Sequence, residues 1–261
     1  MDRHNEDTQM KMHKPLIRLY VWTNRFLGSP EMAASFLELI RNLDGGKWAP
    51  EHWAQFEPVK EAFTSDSDAR IIARWTEERQ GRTSNLMFFK RGRPKLFLNV
   101  TVWRGRVPDL NYLYCDLDAD QFRGVEGVGR LKDLIIAFII WSNAVYATAY
   151  HTLQSHDRSA SGNPIQRLER LNWLSFFGQP YIDMFGEERI RTRSFHSCEM
   201  IANGLLVTAS ESPHSSSMVE SGDRLIMLEK CLGADVFAGD SYPEVACTVP
   251  TFNLETTANR R

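Results

Sequence analysis

Few of the features that mark a specialised class of protein are present in this 261-residue chain. Its four cysteines, Cys115, Cys198, Cys231 and Cys247, are widely spaced and form no CxxC pair. That spacing argues against a disulfide framework or a zinc ribbon and favours free thiols in a reducing compartment. No apolar run is long. The greasiest, Leu134 to Trp141, has eight residues, against the roughly 20 that span a bilayer. Met1 to Lys14 is polar and lacks the apolar stretch of a signal peptide, so a cytoplasmic protein is expected. Neither sign of charge dominates: 31 Lys and Arg face 33 Asp and Glu, a formal net charge of −2. Such a balance gives no general attraction to nucleic acid or to an anionic membrane. Internal repeats are missing too. With 43% hydrophobic and 25% charged residues, the composition excludes a disordered, collagen-like or coiled-coil chain.

What is present reads as alternating and helical apolar patterns. Leu16 to Trp22 is rich in β-branched and aromatic residues, as in a strand. Ser29 is placed to cap a helix that starts at Pro30 and carries Met32, Phe36, Leu39, Ile40 and Leu43 at helical spacing, with Gly45-Gly46 as its stop. The stretch from Lys47 to Thr64 reads as irregular, with Trp48, Trp53 and Phe56 as packing anchors, and a short helix is predicted over Ala69 to Glu78. Leu86 to Phe89, Leu96 to Trp103 and Leu110 to Leu117 form three strand-like runs with short connections, which predicts an antiparallel meander. Leu131 to Asn143 is apolar nearly all round and predicts a helix packed on more than one side.

Val145 to Tyr150 reads as another strand, Ser155 to Pro164 as an exposed loop, and Arg167 to Phe177 as ambiguous between helix and strand. Pro180 to Phe185 looks like one helical turn. Asn203-Gly204 predicts a type I′ hairpin between Phe195–Ile201 and Leu205–Ala209. Val219 to Leu232 reads as an amphipathic helix. The sum is an α+β fold: an antiparallel sheet with helices packed mainly on one side, in a single compact domain over residues 15–254, with flexible tails at 1–14 and 255–261.

Chemistry-bearing motifs are thin. Asp116-Leu117-Asp118-Ala119-Asp120 follows an apolar strand, as the aspartates of haloacid dehalogenase-class phosphatases do. The fifth position is nevertheless an aspartate, and no later adjacent pair of aspartates could hold magnesium. An EF-hand loop lacks its turn glycine and its terminal glutamate here, since those positions are Gln121 and Gly127. No GxSxG elbow exists, and Gly239-Asp240-Ser241 lacks a strand–turn–helix context. Gly124, Gly127 and Gly129 match no phosphate-binding pattern. His151 and His156 would point to opposite faces, and His196 with Cys198 lacks a second metal-ligand pair. No catalytic residue, cofactor site or metal site is assigned, and a binding protein is the better expectation than an enzyme.

If the strand continued, Asp116, Asp118 and Asp120 would share one face as a row of negative charge, with Asp109 and Glu126 nearby in sequence. Such a row is either a solvated strand end or a contact surface for a basic partner. Tyr112 and Tyr114 would be its aromatic anchors. Trp22, Trp103, Trp141 and Trp173 are expected in the core.

The order of landmarks resembles a known family. Tyr20-Val21-Trp22 leads into a helix, and Asn99 to Asp118 runs strand, turn with Pro108, strand, ending at an Asp-Leu pair. A helix reaches Trp141 and Tyr150-His151, followed by Asn172 to Gly178 and the hairpin Glu199 to Glu211. Over roughly Leu16 to Leu232 this resembles the immunity protein 52 family of bacterial polymorphic-toxin and type VI secretion systems. The segment Pro180 to Arg193, with Glu187, Glu188, Arg189, Arg191 and Arg193, does not map onto that pattern. The resemblance implies a cytoplasmic antitoxin, monomer or homodimer, that binds and blocks one cognate toxin. That toxin would be a restriction-endonuclease-like nuclease, with no direct nucleic-acid or membrane contact by the antitoxin itself. The toxin-binding residues would be Asp109, Tyr112, Tyr114, Asp116, Asp118, Asp120 and Glu126. The alternatives are a metal-dependent hydrolase using Asp116, Asp118 and Asp120, or a structural subunit with no toxin partner.

Overall fold

A computed structural model describes residues 15–77, 83–105, 109–153, 164–168, 170–214, 218–233, 235–237 and 247–254, with 218–223 described in backbone only. The expected tails, most of the expected 155–164 loop, and Gly239-Asp240-Ser241 therefore lie outside the described residues. Ten strands form one sheet, numbered along the chain. They are β1 (Leu16–Thr23), β2 (His52–Ala54), β3 (Glu61–Ala62), β4 (Ser84–Lys90), β5 (Leu96–Val102), β6 (Asn111–Asp118), β7 (Tyr146–His151), β8 (Leu174–Gly178), β9 (Ser197–Ile201) and β10 (Gly204–Thr208). The helices are α1 (Pro30–Asn42), α2 (Asp68–Thr76), α3 (Gly124–Ser142), α4 (Gln179–Phe185), α5 (Glu187–Arg191) and α6 (Met218–Gly233).

The spatial order is β3-β2-β4-β5-β6-β1-β7-β8-β10-β9, and every pairing is antiparallel. The predicted meander is β4-β5-β6, and β1 is inserted between β6 and β7. Ile17, Leu19 and Val21 of β1 alternate with Arg18, Tyr20 and Trp22, so the two sets face opposite sides of the sheet. On the first side lies the larger core, where Phe36, Ile40, Ile71, Trp75, Leu131 and Phe138 from α1, α2 and α3 cover the strands. On the second side a smaller cluster places Tyr181 and Phe185 of α4, Ile190 of α5 and Leu228 and Leu232 of α6 over β7, β8 and β10.

Local chemistry explains the element ends. Ser29 Oγ accepts the Met32 N–H at 3.3 Å, and Pro30 occupies the first turn, so α1 starts where expected. The helix expected from Leu131 begins seven residues earlier, at Gly124, because its first two turns are glycine-rich (Gly124, Gly127, Gly129), which local propensity does not read as helix. It ends at Asn143, whose left-handed backbone (φ 51°) donates back to the Ile139 and Ile140 carbonyls. It is not enclosed on every side. Ile140 is 58% exposed, and Trp141, expected in the core, is half-buried. Trp103 is likewise half-buried, and Phe56, expected as an anchor, is 64% exposed.

The hairpin between β9 and β10 turns one residue earlier than its dipeptide suggests. Gly204 pairs with Ile201, leaving Ala202 and Asn203 as the turn, with Ala202 at φ 52°. Gly204 is needed for another reason: a Cβ there would lie 2.3 Å from Phe176 Cζ. Arg167 to Phe177 resolves as β8 preceded by irregular chain.

Candidate functional site

Among the described residues no helix lies over the second side of β4, β5 and β6, while Trp22 of β1 is buried in the smaller cluster with Tyr20 and Tyr112 packed against it. Because the four strands are in register, the side chains of this face form three rows across the sheet. One row is Asn85, Thr101, Tyr112 and Trp22; the next is Met87, Asn99, Tyr114 and Tyr20; the last is Phe89, Phe97, Asp116 and Arg18. A concavity of about 500 Å³ lies over this surface, lined by Tyr20, Trp22, Asn85, Asn99, Tyr112 and Tyr114 among others. Trp103 and Asp109 stand at one end. There the Trp103 N–H donates to Asn111 Oδ1 at 2.7 Å, and Asn111 Nδ2 donates to the Arg25 carbonyl at 2.9 Å.

Aromatic rings form the floor. Tyr20 stacks on Trp22 with centroids 5.2 Å apart and meets Tyr114 at 5.0 Å. Trp22 meets Tyr146 at 5.5 Å and Phe97 meets Tyr114 at 5.9 Å. The amide side is bonded within itself: Asn99 Nδ2 donates to Thr101 Oγ1 (3.3 Å), and Thr101 Oγ1 donates to Asn85 Oδ1 (2.9 Å). Asn99 Oδ1 is buried without a hydrogen-bond partner.

At the opposite end Arg18 grips Asp116 bidentately, Nε to Oδ1 at 2.8 Å and Nη2 to Oδ2 at 3.0 Å. The Tyr114 hydroxyl donates to the same carboxylate, and the guanidinium lies 5.3 Å from the Tyr114 ring centroid. Burial pushes the Tyr114 phenol well above its ordinary range, and the bond to Asp116 adds to this. Burial, helped by neighbouring Tyr150, pushes Tyr20 up to about 12. Both hydroxyls therefore stay protonated at neutral pH and can donate.

The seven residues expected to bind a partner separate into two groups. Tyr112, Tyr114 and Asp109 lie on the open face, with Asp116 at its end. The continuing acidic row does not form, because β6 stops at Asp118 and a 3₁₀ turn, Ala119–Phe122, begins. Asp118 is buried, and its Oδ1 accepts the Asp120 N–H at 3.3 Å, capping that turn. Asp120 turns away to Arg123 at 2.9 Å, and Glu126 to Arg130 at 2.8 Å. Asp109 Oδ1 accepts the Leu110 N–H at 2.7 Å. Among the described residues, no group of three or more His, Cys, Asp or Glu is placed to hold a metal ion. Asp116, Asp118 and Asp120 do not converge on one point as a hydrolase would require.

Arg18, Tyr20, Asn85, Phe97, Asn99 and Thr101 belong to the site and were not among the partner-binding residues expected from the sequence. Their signal was the period-two alternation of β1 and β5, which marks the residues opposite the core but not whether anything covers them. No disulfide links the four cysteines, and among the described residues no helix is long and apolar enough to cross a membrane.

No family model matches the sequence, and no curated protein does. Among solved structures the chain is similar to one from Pseudomonas aeruginosa titled T6SS protein PA0821, T6SS denoting the type VI secretion system. The TM-score is 0.60 at 12% sequence identity, over 84% of this chain and 75% of that one. At that identity the two share a fold.

Proposed function

We propose that this protein is a type VI secretion immunity protein, an antitoxin that binds a cognate toxin and neutralises it by direct contact. The observation that carries the reading is the aromatic and amide face of β4, β5, β6 and β1, whose concavity no helix fills among the described residues. Two things support the assignment to secretion: the fold shared with a protein titled as a type VI secretion component, and the sequence resemblance to the immunity protein 52 family. Tyr and Trp bring large contact area at low entropic cost, and they dominate interface energies when a partner buries them. A protein that inhibits by occupation needs such a surface and no reactive group. The partner that the resemblance implies is a restriction-endonuclease-like nuclease, neutralised in the cytoplasm. The antitoxin would meet it through Tyr20, Tyr112, Asn85 and Asp109.

The test is a calorimetric titration of the purified protein against the toxin domain encoded beside it, with nuclease activity followed in parallel. A stoichiometric complex with lost activity is expected. Tyr112→Ala should weaken it at least about tenfold, the scale of a moderate interface anchor. Absence of binding at both low and moderate salt overturns the antitoxin reading for that pair. Tight binding indifferent to Tyr20→Ala and Tyr112→Ala keeps the antitoxin and removes the sheet face.

A further inference from the structure

The opposite side of the molecule carries a second surface that a partner would complete. α1 and α3 lie side by side over the sheet, joined by Phe36 against Trp141 (4.7 Å) and by Trp141 Nε1 donating to Ser35 Oγ at 3.1 Å. Between them, on the outside, runs a groove of about 610 Å³. Each helix lines it with one stripe at helical spacing. α1 gives Ser35, Glu38, Leu39 and Asn42; α3 gives Arg130, Asp133, Leu134, Ala137, Ile140 and Trp141. The stripe on α3 covers three turns, about 16 Å. Its middle is Ala137, small enough to let another backbone come close, and Ile140 beside it is 58% exposed. An isolated surface isoleucine needs no explanation, but one set in a continuous apolar trough between two helices does.

Carboxylates outnumber cations around the trough, where Arg130 lines one wall and Lys47 lies beside Asp44. Glu38, Asp44 and Asp133 line it and are exposed. Glu38 and Asp133 form no ion pair among the described residues, and Asp44 has only Lys47 at 4.0 Å. Of the cations of α3, Arg130 lines the trough but pairs with Glu126 at 2.8 Å, and Lys132 pairs with Glu199 at 3.7 Å. Among the described residues Glu38 and Asp133 therefore face the trough without a partnering cation, whereas Asp116, Asp120 and Glu126 are matched by arginines.

We infer that the α1–α3 groove is a docking site for an amphipathic helix of a partner protein, apolar on one face and flanked by Lys or Arg. Such a helix would lie as a third member of the α1–α3 layer, its apolar side chains over Leu39, Ala137, Ile140 and Trp141. Its basic flanks would meet Glu38, Asp44 and Asp133, which sets orientation and speeds capture. This inference does not depend on what the open sheet face binds.

The probes are two labelled synthetic amphipathic peptides of about four turns, identical in their leucine face and differing in lysine or glutamate flanks. Fluorescence anisotropy against the full chain should show saturable binding of the lysine peptide at least about tenfold tighter than of the glutamate peptide. That preference should shrink as salt rises. Ile140→Asp should abolish binding of the lysine peptide, and Glu38→Lys/Asp133→Lys should reverse the preference. Tyr112→Ala, on the other side of the sheet, should leave the binding of both peptides as it is. Both altered positions in α3 are exposed, so folding is retained, and circular dichroism checks it. Lysine-peptide binding that survives Ile140→Asp, or equal binding of both peptides, overturns the inference. So does sedimentation showing a homodimer that Ile140→Asp dissociates, because the groove would then hold a second copy of this chain.

Discussion

The two halves of the sheet obey different rules. In β7, β8 and β10 every residue is buried, because α1–α3 lie on one side and α4–α6 on the other. The sequences there, YATAYH, LSFFG and GLLVT, do not alternate, as strands enclosed on both faces need not. In β1, β5 and β6 burial alternates along most of each strand. The side facing away from α1–α3 is aromatic, amide or ion-paired rather than charged and hydrated. A sheet with one wet face usually shows Lys, Glu and Thr there. This one shows Tyr20, Tyr112, Tyr114 and Phe97, which bond and stack among themselves. The difference separates the half of the sheet enclosed on both faces from the half that the proposed function uses.

Substitutions in the two halves should therefore fail differently. The largest loss is expected in the enclosed half. Phe177 meets Tyr181 at 5.9 Å and Phe185 at 5.5 Å, and Phe177→Ala should cost about 3–5 kcal/mol in urea unfolding. A cost under about 1 kcal/mol would mean that this half is not the stabilising one.

Next comes Arg18→Met. It leaves the Asp116 carboxylate, whose side chain is 15% exposed, with only the Tyr114 hydroxyl, and should cost about 1–3 kcal/mol. Asp116→Asn in the same background should recover part of it, because the uncompensated charge is then gone.

Glu229 on α6 gives a pH test of the enclosed half. Burial raises its carboxyl above the ordinary value of 4.5, opposed in part by the Leu171 N–H, which it accepts at 2.8 Å. A raised folded value means that the native state holds its proton more tightly than the unfolded chain. The contribution to stability is then full below about pH 4.5 and is lost as pH rises through the folded value. Glu229→Gln should accordingly be more stable than the parent at neutral pH, with the gap closing as pH falls toward 4.5 in paired thermal melts. The smallest effect on stability is expected for Tyr112→Ala on the open face, within about 1 kcal/mol, whereas the proposed function expects that change to weaken toxin binding.

Much of this was legible in the chain and some could not be. β1, α1 and the β4–β5–β6 meander follow from local chemistry: the Ser29 cap, Pro30 at the first turn and the alternation of Leu96, Leu98 and Val100. Local patterns do not say which strands become neighbours across long separations. Arg18 therefore gave no hint of Asp116, and the acidic row was drawn one residue pair too long, past the point where Asp118 caps a turn. His151 is another case. It meets His214 with ring centroids 5.1 Å apart, and burial lowers both below the ordinary imidazole value. The sequence gives no sign of His214 as its neighbour, and His156, expected on the opposite face, lies outside the described residues.

The position of β1 has a consequence for synthesis. Arg18 and Asp116 are 98 residues apart, so at about 5–20 residues per second roughly 5–20 s pass before β6 is made. The paired edge that β7 supplies comes later still. Throughout that interval Leu16 to Trp22 emerges from the ribosome as a β-prone segment with both ladder edges open, the kind that recruits other chains. Arg18 interrupts it with a charge. The guanidinium that fastens β1 to β6 in the finished sheet is also the one charge inside that β-prone stretch, the kind of residue that opposes pairing between chains.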